Sequence, residues 1–112
     1  TLQGLSLPNP LGLAAGFDKN AECYQGAFAL GFGHVEVGTI TPLAQPGNPR
    51  PRVFRLSEDE AVINRYGFNG KGMGYAARQL RKGKKHPNCV LGVNIGDNKL
   101  SEDKAADYEL AA

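Results

Sequence analysis

The stretch Leu11-Gly12-Leu13-Ala14-Ala15-Gly16-Phe17-Asp18-Lys19-Asn20 constrains the fold of this chain more tightly than any other. Residues 11–15 form a short apolar run, bounded before by Pro8-Asn9-Pro10 and after by Gly16, which are the length and flanks of a buried strand. Ala14, Ala15 and Gly16 then remove side-chain bulk where the strand ends, so that a flat ligand could lie against bare backbone. Asp18 and Asn20 are N-cap residue types for the helical pattern that follows, which leaves Lys19 on a strand-to-helix turn. In α/β proteins such turns lie at the carboxyl end of the sheet, where sites are built.

The pattern downstream extends that unit. An apolar face through Cys23, Tyr24, Ala27, Phe28 and Leu30 predicts a helix over residues 21–30, stopped by Gly31. Residues 34–40 read as a second strand ending at Thr41-Pro42, and strand, helix, strand in this order is a βαβ unit with a parallel sheet. After a proline-rich loop over residues 43–51, residues 53–56 and 61–64 predict an antiparallel hairpin joined by Ser57-Glu58-Asp59-Glu60. A helix over residues 70–85, weakly amphipathic through Met73, Ala76, Ala77 and Leu80, leads to a third strand over 89–95 and a last helix capped by Ser101. Before the first strand, residues 2–7 read as another extended piece. The sum is three βα units with a hairpin inserted after the second strand, about three-eighths of a (β/α)8 barrel.

The 112 residues are too few for a whole barrel, which needs about 250. The chain begins at Thr1, its single methionine is Met73, and it stops in a helical pattern without a C-cap, so an excerpt is expected. A net charge of +2 is too small to argue for nucleic acid, and the basic run Arg81-Lys82-Gly83-Lys84-Lys85-His86 reads as a solvated connection. Cys23 and Cys89 lack metal-ligand spacing and read as reduced core thiols, with neither a metal site nor a disulfide framework. No apolar run reaches the roughly 18 residues that span a bilayer.

Two glycine-rich stretches, at Gly31-Phe32-Gly33 and Gly70-Lys71-Gly72-Met73-Gly74, have the wrong spacing and context for a dinucleotide or phosphate loop. The remaining small and polar groups fall at strand ends: residues 14–19 after the first, Thr39 and Thr41 after the second, Asn94 after the third. A barrel gathers those ends on one face, where hydroxyl, amide and ammonium groups around bare backbone suit a flat heterocycle such as a flavin. In Asn64-Arg65-Tyr66-Gly67-Phe68-Asn69, backbone N–H groups around Gly67 could take a carboxylate and Asn64 an amide edge. By spacing alone a turn with an aromatic plug fits that segment equally well.

The segments 14–20, 36–42, 45–56, 63–69 and 92–96 together resemble the dihydroorotate dehydrogenases, and more narrowly the class 2, quinone-dependent, membrane-associated branch. The resemblance implies that residues 1–112 are the N-terminal portion of a single FMN-binding (β/α)8 TIM-barrel domain, with its inserted hairpin at about 53–64. It implies oxidation of dihydroorotate to orotate in pyrimidine biosynthesis, with FMN reoxidised by a quinone. By that resemblance Ala15, Gly16, Phe17, Asp18, Lys19, Thr39 and Asn94 bind FMN. Lys19, Asn64, Arg65, Tyr66, Gly67 and Phe68 face the substrate, and Val53 and Arg55 line the quinone channel. The catalytic serine base is expected outside this stretch, since Ser6 and Ser57 match no catalytic position. Glu36, His34 and Tyr24 receive no role.

Further expectations follow from the same resemblance: a monomer, attached peripherally to the bacterial cytoplasmic membrane or the mitochondrial inner membrane, without nucleic-acid partners. Two rivals stand beside it, a soluble class 1 relative using fumarate or NAD, and a non-catalytic fragment. An arc of three strands leaves edges unpaired and an inner face wet, so the 112-residue polypeptide by itself is expected to be inactive.

Overall fold

The computed structural model describes residues 4–84, 86 and 88–112. Among these, the order of elements is β1 (Gly12–Leu13), α1 (Tyr24–Ala29), β2 (His34–Ile40), β3 (Val53–Leu56), a 3-10 turn (Ser57–Asp59), β4 (Ala61–Asn64), α2 (Met73–Lys82), β5 (Val90–Ile95) and α3 (Lys104–Ala111). β1, β2 and β5 form one parallel sheet in that spatial order, while β3 and β4 form a separate antiparallel pair. The bounds of β2 and of both hairpin strands are those the sequence pattern predicts.

Alternation along β2 decides which face is the core. Val35 and Val37 are 1% and 0% exposed and pack with Tyr24, Ala27 and Phe28 of α1 and Ala76 of α2. Each such valine contributes about 2 kcal/mol through its burial. His34 and Glu36 therefore occupy the opposite face, beside glycines on both neighbouring strands: Gly12 pairs in register with His34, and Gly92 with Glu36. A side chain at Gly12 would be driven into the His34 ring, so the strand leaves that space to its neighbour.

Several expectations need correction. β1 covers only Gly12–Leu13 of the predicted 11–15, because Ala14 and Ala15 already turn toward the loop. Of the early extended piece, residues 2 and 3 lie outside the described residues, and residues 4–7 form no strand. α1 starts at Tyr24 rather than residue 21, since the loop first wraps around the Asp18 carboxylate, with Ala21 at a φ of 59°. α2 runs Met73–Lys82 within the predicted 70–85: Gly72 opens it at a φ of 80°, Gly83 leaves it in extended backbone, and Lys85 lies outside the described residues. The cap of α3 is Asp103, whose side chain accepts from the Ala106 N–H; Ser101 instead donates its hydroxyl to the Asp103 carbonyl. Cys23 is exposed rather than a core thiol, and Cys89 is half-buried; both are free.

The basic run is exposed at Arg81, Lys82 and Lys84. His86 is held differently, half-buried with its ring 5.1 Å from that of Phe28 and its Nε2 3.0 Å from Gln25 Oε1.

Candidate active site

The turn after β1 is fixed by Asp18. Its side chain is buried at 3% exposure, and its two carboxylate oxygens accept from the backbone N–H groups of Glu22, Cys23 and Tyr24 at 2.7–2.8 Å. The Asp18 carbonyl also accepts from the Gly38 N–H, and the Gly16 N–H donates to the Gly38 carbonyl. This double tie clamps the lysine turn to β2.

Lys19 borders a cleft of about 540 Å³, lined also by Ala15, Gly16, Thr39, Asn64, Arg65, Tyr66, Gly67 and Phe68. Burial, with the Arg52 guanidinium as the second cause, holds the Lys19 ammonium below the ordinary lysine range. No atom lies within 4 Å of the place where a Gly16 side chain would begin, so the backbone there is bare.

The far wall, residues 64–68, is gripped from behind. Asn48 donates from its side chain to the Arg65 carbonyl and from its backbone N–H to that of Tyr66, while the Gln45 amide donates to those of Gly67 and Phe68. Gly67 and Phe68 have φ of 72° and 53°, a turn that glycine takes without strain. No acceptor among the described residues meets the N–H groups of Tyr66, Gly67 and Phe68. Three backbone donors without an acceptor thus belong to residues that line the same cleft as Lys19.

Asn94 is not among the lining residues but is bonded to one of them: its Oδ1 accepts from the Thr39 hydroxyl at 2.5 Å and its Nδ2 donates to Glu36 Oε1 at 2.9 Å. The arrangement thus gathers Ala15, Gly16, Lys19, Thr39 and the 64–68 segment, with Asn94 hydrogen-bonded to the wall at Thr39. Two of the residues predicted to bind the flavin fall elsewhere. Phe17, 72% exposed, turns to an apolar surface with Leu13, Cys23 and Leu30, and the Asp18 carboxylate is consumed by the loop. Val53 and Arg55 sit on the hairpin beyond the cleft, Val53 paired in register with Asn64 and Arg55 with Val62.

Sequence reasoning missed Arg52, whose guanidinium lies 5.4 Å from the Tyr66 ring centroid and donates to the Pro46 and Asn48 carbonyls. It also missed Asn98, buried, which joins the proline-rich loop to the turn after β5. Asn98 Oδ1 accepts from the Leu43 N–H, and its Nδ2 donates to the Leu43 carbonyl and to Gln45 Oε1. The only signal for either was polar side chains next to proline and glycine. A second cavity of about 530 Å³, on the other side of that loop beside Leu43, Pro46 and Leu100, has neither the lysine nor the bare turn.

A parallel βα sheet whose polar cleft opens at the carboxyl ends of its strands places the chain in the α/β class, in which ligand sites lie at that end. The family model for Dihydroorotate dehydrogenase matches residues 1–112, and the chain belongs to that family. An α/β TIM-barrel architecture comes with this membership. The chain is 60% identical over 110 residues to the Dihydroorotate dehydrogenase (quinone) of Rhodospirillum rubrum, covering 97% of this chain and 29% of the relative. It is 56% identical over 108 residues to the protein of the same name from Corynebacterium striatum, covering 96% and 30%. Among solved structures, ligand-free DHODH from Eimeria tenella superposes with a TM-score of 0.88 at 49% identity, covering 96% of this chain and 32% of that one. The same protein in complex with ferulenol gives 0.82 at 48%, covering 96% and 31%. The chain therefore spans a little under a third of the relatives it matches.

Proposed function

We propose that residues 1–112 form the first three βα units and the inserted hairpin of a single FMN-binding (β/α)8 domain in a class 2 dihydroorotate dehydrogenase. That enzyme oxidises dihydroorotate to orotate in pyrimidine biosynthesis and passes the electrons to a quinone at a membrane surface. The observation that carries the reading is the convergence of Lys19 with residues 64–68 around one cleft, although they are far apart in the chain.

The residues fit a flavin. Bare backbone at Ala15 and Gly16 admits a flat ring, Thr39 and Asn94 offer polar partners, and Lys19 supplies a positive charge. When bound, FMN supplies hydride acceptance and onward electron transfer. Lys19, kept from full hydration, stabilises negative charge developing in the cleft more strongly than a solvated lysine would. The N–H groups of Gly67 and Phe68 hold the substrate carboxylate and the Asn64 amide orients its ring edge. None of Ser6, Ser57 and Ser101 lines the cleft, so the proton-abstracting serine belongs to another part of the barrel. Arg55 on the hairpin, paired in register with the exposed apolar Val62, supports a surface at which an amphipathic quinone meets the protein.

Among the described residues no helix is long and apolar enough to cross a membrane, and we propose peripheral attachment through another segment. By itself the 112-residue chain leaves Leu91 and Val93 exposed on the helix-bearing face of the sheet, and neither tight FMN binding nor turnover is expected from it. The test is purification of the full-length protein with its visible spectrum and an assay of dihydroorotate-dependent quinone reduction. Flavin bands and turnover are expected; a colourless, inactive full-length protein would overturn the assignment.

A further inference from the structure

We propose that Glu36 is a positioning residue for the flavin wall of the cleft: it sets the direction of the Glu36–Asn94–Thr39 hydrogen-bond chain, so that Thr39 meets the ligand as an acceptor. This rests on the reading of the cleft as an FMN site.

The sequence reading assigns Glu36 no role. The sheet places it otherwise. Glu36 pairs in register with Gly92, and Asn94 lies two residues further along the same face of β5. The Glu36 side chain lies along Gly92, and its carboxylate accepts from Asn94 Nδ2 further along β5. The register shift between Val37 and Ile40 turns Thr39 toward the same amide. Gly38 and Gly96 hold the arrangement close, since a side chain at either would meet the Asn94 backbone or the Thr39 methyl.

The polarity follows from donor and acceptor chemistry. A carboxylate only accepts, so the Asn94 amide must turn its Nδ2 to Glu36. Its Oδ1 is then left for Thr39, and the Thr39 hydroxyl proton is committed to it. Toward the cleft Thr39 offers lone pairs alone, the complement of an N–H edge on a flat heterocycle. A glutamine at position 36 can present either end of its amide, so the whole chain is free to reverse and Thr39 to present its proton instead.

The experiment compares FMN dissociation constants and flavin absorption bands for the full-length wild type, Glu36→Gln, Thr39→Val and the double variant, with urea midpoints of each apoprotein as the folding control. Glu36→Gln is expected to weaken FMN roughly tenfold and to shift the flavin bands, with an unchanged urea midpoint. In the Thr39→Val background the same substitution is expected to change the constant by no more than about twofold, because the two residues act as one chain. Glu36→Gln binding FMN like wild type, or effects that add, would overturn the proposal. Failure of the underlying cleft assignment looks different: the wild type itself fails to bind FMN, and the proposal falls with it.

Discussion

The Lys19 ammonium lies 5.1 Å from the centroid of the Tyr66 ring, and the same ring carries the Arg52 guanidinium at 5.4 Å. The aromatic ring thereby joins the turn after β1 to the segment after β4. In the full-length enzyme Lys19→Ala is expected to lower kcat/KM for dihydroorotate by roughly a hundredfold, the scale of losing one preorganised charge. Tyr66→Leu keeps the charge and loses the ring, so a loss of roughly twofold to fivefold is expected. Steady-state kinetics check both; equal losses would show that the ring does more than hold the lysine.

Asp18 is expected to be the most costly residue of its loop to remove. Asp18→Ala strands three backbone donors and is expected to cost about 3 kcal/mol or more. Asp18→Asn, which keeps one accepting oxygen, falls between it and wild type. Urea midpoints of the full-length protein measure the order.

Gly38 has a φ of 113°, and a side chain there would be driven into the Asn94 carbonyl oxygen. Gly38→Ala is expected to destabilise by about 3 kcal/mol and to weaken flavin binding, because Asn94 and Thr39 move together. Gly26→Ala, in open space on α1, is the control and is expected to be neutral or slightly stabilising.

Glu22 titrates unusually. The Lys71 ammonium first and the Tyr75 hydroxyl second hold its carboxyl at about 2, from an ordinary 4.5. The unfolded chain therefore takes up the proton first as pH falls. The stability from this group is present above pH 4.5 and is lost between there and about 2. The pair is exposed, so the effect on overall stability is small. Carbon-detected NMR titration of Glu22 is expected to give the low value in wild type and a return toward the ordinary one in Lys71→Met.

Cys23 is exposed yet expected to be slow to alkylate at neutral pH. Burial of its thiol group is the first cause raising its pKa, and the Asp18 carboxylate the second. Iodoacetamide rates for Cys23 should rise in Asp18→Asn, and a rate equal to that of a free thiol in wild type would contradict this reading.

Local regularity made β2 and the hairpin legible. Val35 and Val37 against His34 and Glu36, and two short runs, Val53–Leu56 and Ala61–Asn64, around Ser57-Glu58-Asp59-Glu60, announce their own period. The late start of α1 was hidden because one carboxylate at Asp18 serves donors four to six residues on, which competes with the helix. Ser101 and Asp103 both fit a cap by type, and only geometry chose between them. The cleft became visible through the family resemblance, since no local pattern joins Lys19 to Tyr66. Glu36 was missed because its partner at Asn94 lies on another strand, far away in the chain.

Gln45 and Gly70 exchange both backbone hydrogen bonds at 3.0 Å, fastening the two ends of the excursion that carries the hairpin and the 64–68 wall. The excursion is in effect a cassette closed at its neck. Its tip at Ser57–Asp59 can lengthen or change composition over evolutionary time without altering the neck. On the proposed function, the acceptor surface and the substrate wall travel on this one module, so a change that displaces its neck is expected to disturb both together.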